Sequence, residues 1–227
     1  MPADRTAVIS GVSSGIGRAI AAHLLADGWT VIGLSRRQPD LSAQRFSWRH
    51  CDLTHPRSTE GAVSDIGTVQ ALIHAAGFQV SGRLGALDPD DGTHMYAVHV
   101  DAAIRLANSL VDRITAGGRI LLIGSRTAVG VAGKSQYAAT KAALRALARS
   151  WATELAPRRI TVNVIEPGPT ETAMLTDPAR ATTPPVTPPL GRLIHPEEVA
   201  ALAHYLLTDN SAMITGQHLT ICGGASL

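Results

Sequence analysis

The sequence predicts a doubly wound α/β sheet of seven parallel strands with helices on both faces. Three observations lead there. Short β-branched apolar runs alternate with longer stretches of helical period. The runs lack a clean inside–outside alternation, as strands covered on both faces do. A glycine-rich turn follows the first run and opens the first helical stretch. At 227 residues, one domain over 1–227 fits better than two. A chain of this size buries roughly 70–75% of its unfolded surface and needs no disulfide or metal to fold.

In chain order, TAVIS (Thr6–Ser10) is the first strand. The next stretch sets Ile16, Ile20, Leu24 and Leu25 on one helical face. TVIGLS (Thr30–Ser35), FSWRHC (Phe46–Cys51) and VQALIH (Val69–His74) follow as strands. A helix is expected from about Asp91 to Ile114, with Ile104, Leu106, Leu110 and Ile114 as apolar positions. RILLIG (Arg119–Gly124) is the fifth strand. A helix rich in Ala, Leu and Arg begins near Ser135 and runs to Ala156, where Pro157 stops it. ITVNVI (Ile160–Ile165) is the sixth strand. Thr182–Pro189 (TTPPVTPP) is a Pro-rich loop, and the stretch after it is too short to form a domain. His195-Pro196-Glu197-Glu198 starts a helix with proline in the first turn and acids at its positive end. HLTIC (His218–Cys222) is the last strand.

Composition narrows the function classes. Apolar residues make up 45% and charged residues 17%, which excludes intrinsic disorder. The net charge of +2 comes without a basic run, so no nucleic-acid partner is expected. Cys51 and Cys222 build neither a disulfide framework nor a metal site, and a reducing compartment follows. His94 and His99 do not share a helix face, so no metal is expected there either. Met1–Ser10 carries Asp4 and Arg5 and too short an apolar run for a signal peptide. No stretch approaches the roughly 20 apolar residues of a spanning helix. A cytoplasmic protein with no membrane partner is expected.

Two motifs carry chemistry. The first is Ser10-Gly11-Val12-Ser13-Ser14-Gly15-Ile16-Gly17, at the strand-to-helix turn. Glycines let the backbone approach a pyrophosphate, and the helix start offers free N–H groups. The spacing is GxxxGxG, not GxGxxG. The second is Tyr137-Ala138-Ala139-Thr140-Lys141, which stacks phenol and ammonium on one helix face. A Lys ammonium favours phenolate, which makes a tyrosine usable as acid or base near neutral pH. Alone, YxxxK is common, and a solvated lysine beside a packed tyrosine is its ordinary meaning. Its companion is Ser125, 12 residues upstream at the end of a strand, where ligands bind in such sheets.

Together these features resemble the short-chain dehydrogenase/reductase family along essentially the whole chain, with the 3-oxoacyl-carrier-protein reductase-like branch nearest. The glycine loop is similar to the family's TGxxxGxG, with Ser10 in place of Thr. Asp52 and Leu53 fall where the family contacts adenine. His74-Ala75-Ala76-Gly77 resembles NNAG, with Ala75 replacing an asparagine. Ser125, Tyr137 and Lys141 match the catalytic Ser and YxxxK, although the Ser–Tyr interval is one residue short and leaves Gly124 as the other register. Pro167-Gly168-Pro169-Thr170-Glu171-Thr172 resembles the segment that binds the nicotinamide end, including Pro167, Gly168, Thr170 and Thr172. His99 stands at the family's helix asparagine, which supports a proton path to the lysine; a histidine there either fills the helix or titrates.

The resemblance implies a single-domain Rossmann fold, a homo-oligomer (tetramer or dimer) and hydride transfer between a nicotinamide cofactor and a small-molecule carbonyl/alcohol pair. The second strand ends at Ser35 and Arg36-Arg37 follow, where an NAD site would place an acid; none occurs before Asp40, and an Arg guanidinium with the Ser35 hydroxyl can hold a phosphate there. NADP(H) is therefore the expected cofactor, with NAD(H) as the alternative. A non-catalytic NADP-binding sensor or scaffold on the same fold is the competing function.

Overall fold

Aliphatic and β-branched runs become strands because both of their faces find a helix to cover them. In the computed structural model, which describes residues 5–178 and 183–227, seven strands form. They are β1 (Thr6–Ser10), β2 (Thr30–Ser35), β3 (Phe46–His50), β4 (Val69–His74), β5 (Ile114–Ile123), β6 (Thr161–Pro167) and β7 (His218–Ile221). They make one sheet in the order β3-β2-β1-β4-β5-β6-β7. Every pair is parallel. The chain runs outward from β1 to β3 and then crosses to β4, so the order reverses between β1 and β4. A crevice for ligands opens at such a switch point, beyond the carboxyl ends of the strands.

Six α-helices cover the sheet: α1 (Gly15–Ala26), α2 (Pro56–Val63), α3 (Pro89–Tyr96), α4 (Ala102–Leu110), α5 (Ser135–Leu155) and α6 (Pro196–Leu207). Neighbouring strand residues point to opposite layers. Val8, Leu72, Leu122 and Val164 pack with Leu106, Leu110 and Leu144 in one core. Ile9, Ile73, Leu121 and Ile165 pack with Ile20, Leu24, Val199 and Leu206 in the other. Local chemistry sets the helix starts. Asp88 accepts from the Asp90 N–H at 2.9 Å to cap α3. Glu198 accepts from the His195 N–H at 2.8 Å at the start of α6. Across the layers, Arg145 of α5 grips the fully buried Glu166 of β6 with two bonds of 2.5 and 2.7 Å. No helix of the described residues is long and apolar enough to cross a membrane.

The main correction concerns the helix expected over Asp91–Ile114. It is two helices, α3 and α4, joined by a π-helical turn over Ala97–Asp101. The wider turn carries His99 into the interior and leaves the Val98 carbonyl to a side chain, His74. Ile114 is not helical; it opens β5, which bulges and resumes regular pairing with β4 at Arg119. β5 is thus longer at its start than the Arg119–Gly124 run suggests. The helix after Ser135 ends at Leu155, and Pro157 falls in a short 3₁₀ turn. Met1 to Asp4 and Thr182, part of the Pro-rich loop, lie outside the described residues.

Candidate active site

The carboxyl ends of β1, β2, β4, β5 and β6 frame a cleft of about 550 Å³. At its floor the glycine turn is forced by contact. A Cβ on Gly11 would lie 2.7 Å from the Ala76 backbone, and one on Gly17 would lie 2.4 Å from the Gly11 carbonyl oxygen. Gly11 also has φ of +78°. Ser14, the residue before α1, makes no side-chain cap, and the first turn holds no acid. The α1 N–H groups therefore face the cleft without a protein anion beside them. This backbone cradle and dipole fit a pyrophosphate. Ser13, Ser14, Gly15, Ile16 and Gly17 line it, and Thr172 closes it from above. A Cβ on Gly15 would meet the Thr172 methyl at 3.1 Å.

Where the resemblance expects an adenosine, the cleft is walled by Ser35, Arg36, Arg37, Asp52 and Leu53. Ser35 Oγ donates to the Arg37 carbonyl at 2.7 Å and accepts from Trp48 Nε1 at 3.0 Å. Its hydroxyl orders the turn and is not presented for a phosphate, contrary to the expectation for it. Arg36 and Arg37 are exposed at the rim. Asp52 Oδ1 accepts from the Thr54 N–H at 3.0 Å and from its hydroxyl at 2.7 Å. Partial burial raises the Asp52 pKa, but the Thr54 hydrogen bonds and the His55 and Arg36 charges outweigh it and hold the carboxyl below its ordinary value.

Ala75, Ala76 and Gly77 pass under the cleft after β4. His74, just before them, is buried. Ser10 Oγ donates to its Nδ1 at 2.8 Å, and its Nε2–H donates to the Val98 carbonyl at 3.1 Å. The Ala76 N–H in turn donates to Ser10 Oγ at 3.4 Å. Sequence reasoning missed this role; the visible signal was a histidine opening the HAAG segment.

Ser125, Tyr137 and Lys141 converge on the far side of the cleft. Ser125 lies two residues past the end of β5. Gly124, the other register, has no hydroxyl, and a Cβ there would lie 2.6 Å from the Val164 side chain. Ser125 Oγ accepts from the Thr127 N–H at 3.2 Å. Lys141 Nζ donates to the Ile123 carbonyl at 2.9 Å and lies 5.8 Å from the Tyr137 ring centre. Burial pushes the Lys141 pKa down to about 7.

Of the residues singled out in the sequence, only His99 lies outside the cleft wall. It is fully buried behind Gly77, where a Cβ would come within 3.1 Å of His99 Nε2 and 3.3 Å of Lys141 Nζ. Nε2 accepts from the Phe78 N–H at 3.1 Å, so the ring proton sits on Nδ1 and is donated to Thr140 Oγ1 at 2.8 Å. Thr140 passes its own proton to the Tyr137 carbonyl at 2.8 Å. Burial first, then the Lys141 charge and that of His74, push the His99 pKa well below its ordinary value. His99 is thus a buried ring that fills the π turn with both nitrogens bonded, 5.6 Å from the Tyr137 ring. Pro167, Gly168 and Thr170 complete the wall, and Thr170 pairs with Ile194 through an isolated bridge. Among the described residues no cluster could hold a metal.

The family described as enoyl-(acyl carrier protein) reductase matches residues 11–226. The 3-oxoacyl-(acyl-carrier-protein) reductase of Salmonella typhimurium is 34% identical, over 97% of this chain and 96% of that protein. Among solved structures, a short chain dehydrogenase family protein from Francisella tularensis superposes with a TM-score of 0.90 at 24% identity, covering 98% of both chains. A blue fluorescent protein from a metagenomic library, in complex with NADPH, superposes with a TM-score of 0.86 at 28% identity, again over 98% of both.

The buried histidines set a pH dependence. Burial first, then the Lys141 charge, push the His74 pKa from 6.5 to about 3. Between those values the unfolded chain binds a proton that the folded chain does not, so stability falls as pH drops through the window. Lys141 has the same sign higher up: between about 7 and 10.5 its contribution to stability rises with pH. The loss from His74 is roughly 2 kcal/mol at pH 5 relative to pH 7. Urea midpoints at the two pH values check it, and His74→Asn should reduce the difference while leaving the part that His99 contributes with the same sign. Equal midpoints in the unmodified protein would show that His74 is not held neutral.

Proposed function

The chain belongs to the short-chain dehydrogenase/reductase family, and we propose that it is an NADPH-dependent ketoreductase interconverting a ketone and a secondary alcohol. The observation that carries this reading is the meeting of Ser125, Tyr137 and Lys141 in the same cleft as the pyrophosphate cradle. A nicotinamide cofactor, when bound, supplies the hydride that the carbonyl carbon receives. Ser125 Oγ accepts from the Thr127 N–H and shares a 2.9 Å hydrogen bond with Thr127 Oγ1; with that hydroxyl donating to it, Ser125 gives its own proton to the carbonyl oxygen. That bond strengthens as negative charge develops, so it favours the transition state. Tyr137 donates its proton to the same oxygen. Lys141, anchored on the Ile123 carbonyl, stabilises the charge left on the phenol oxygen. The substitution Tyr137→Phe keeps the ring but has no proton to give. Turnover is expected to fall about 10²–10⁴-fold while NADPH still binds, as read by steady-state kinetics beside fluorescence titration. A variant that kept most of its turnover would remove Tyr137 as the acid. Unmodified protein that binds NADPH and turns over no carbonyl would favour the sensor reading instead.

The NADPH preference rests on the rim of the second strand. Arg36 and Arg37 stand where an NAD site needs an acid, and a guanidinium fork fits a phosphate. The NADPH held by the fluorescent relative supports the same choice. Arg36→Asp should lower kcat/KM for NADPH by about tenfold or more and raise that for NADH. An unmodified protein that used NADH as well as NADPH would defeat the preference. The proposal includes a cytoplasmic homo-oligomer, a tetramer or dimer, as closed symmetric assemblies are the rule for such enzymes. A monomer in sedimentation at micromolar concentration would remove that part.

A further inference from the structure

At the end of β2 the chain bends through Ser35-Arg36-Arg37. Ser35 is buried, whereas Arg36 and Arg37 are exposed at the cleft rim. A serine hydroxyl carries one proton and two lone pairs. Here the proton goes to the Arg37 carbonyl at 2.7 Å, and a lone pair accepts the Trp48 Nε1–H at 3.0 Å. An indole N–H can only donate, so Ser35 cannot turn its own proton that way. The Ser35–Arg37 bond closes a local turn with Arg36 between its ends. Trp48 is itself firmly held. It lies on β3, where it pairs with Gly33 while His50 pairs with Ser35. Its ring packs on the core layer of Ile20 and Leu24 and meets the His50 ring edge-on at 6.3 Å. Trp48 does not line the cleft; it reaches the cleft wall through Ser35.

We infer that Trp48 is a positioning residue for cofactor choice: through Ser35 it fixes the turn that offers Arg36 and Arg37 to the 2′-phosphate by which NADP(H) differs from NAD(H). The inference rests on the NADPH reading and adds to it a residue one strand away. A guanidinium holds a phosphate through paired N–H bonds, which demand a set position and direction. Asp52 lines the same stretch of wall, and its carboxylate attracts Arg36. A loosened turn lets Arg36 swing towards that carboxylate, and a phosphate then loses its partner. The ribose hydroxyl of NAD(H) carries no charge and makes no such demand on the turn, so its binding is far less sensitive to Trp48.

The test is calorimetric titration with adenosine 2′,5′-bisphosphate and with adenosine 5′-monophosphate. The two nucleotides differ only in the 2′-phosphate, and neither supports turnover. The unmodified protein should bind the bisphosphate about tenfold or more tighter. Trp48→Phe keeps an aromatic ring and loses the N–H. It should lower that preference by about threefold to tenfold, almost wholly through weaker binding of the bisphosphate. Ser35→Ala removes both bonds and should lower the preference by a similar factor, with no further loss when the two changes are combined. A folded Trp48→Phe that keeps the preference, or that weakens both nucleotides alike, would overturn the role of Trp48 and leave the NADPH reading standing. If the tryptophan variant does not fold, a Ser35→Ala variant that keeps the preference overturns that role by itself. An unmodified protein that binds the two nucleotides equally would overturn the NADPH reading, and the inference with it.

Discussion

The Tyr137 end of the cleft depends on two runs of buried hydrogen bonds that meet the bulged helix at Val98 and His99. The first starts at the Ala76 N–H, passes through Ser10 to His74, and reaches the Val98 carbonyl. The second starts at the Phe78 N–H, passes through His99 and Thr140, and ends on the Tyr137 carbonyl. A neutral imidazole offers one donor and one acceptor. Each ring here uses both, in opposite tautomers: His74 donates through Nε2 and His99 through Nδ1. Removing a link strands a buried polar group at a cost of about 1–3 kcal/mol. That penalty fixes the end of β4, the π turn and the first turns of α5 relative to one another.

Neutrality of the rings follows from the same arrangement. Burial disfavours a charged imidazole, and the Lys141 ammonium adds repulsion at both histidines. A proton on either ring would also break its accepting bond, to Ser10 at His74 or to the Phe78 N–H at His99. The positive charge below Tyr137 is therefore carried by Lys141, held against the Ile123 carbonyl. Gly77 makes this crowding workable, because any side chain there would press on His99 and Lys141 together. From sequence, a histidine at position 99 either fills the helix or titrates. Its surroundings make it a spacer with two fixed bonds.

What could be read in the sequence depended on how local the deciding physics was. Strands β1, β2 and β4 follow from apolar runs, and the glycine cradle follows from a short-range turn. Ser125, Tyr137 and Lys141 fall at strand-end and helical spacings that place them without tertiary knowledge. The π turn did not show, because its cause is a partner outside the helix: His74 taking the Val98 carbonyl. Ile114 fitted the helical period, yet pairing with Val69 drew it into β5. Ser35 looked available for a phosphate, and only the neighbouring β3 reveals that Trp48 shares its hydroxyl.

The departures from the family's sequence pattern make physical sense as a set. Ala75, standing where that pattern has asparagine, cannot hydrogen-bond through its side chain. Backbone and hydroxyl groups of Ser10 cover the gap: its carbonyl accepts from the Ala75 N–H at 3.3 Å, and its Oγ accepts from the Ala76 N–H. Ser10 can do this because His74 takes its hydroxyl proton and so orients the oxygen. His74 needs an acceptor for its second nitrogen, which the π turn supplies at Val98. The same turn brings His99 inward, where a ring long enough to reach both the Phe78 N–H and Thr140 fills the space. Ser10 and His74 thus tie the segment after β4 to the turn that carries His99. Considered singly, each departure looks like damage to a catalytic apparatus. Together the departures leave every donor and acceptor along both runs matched, with Tyr137 and Lys141 still facing the cleft.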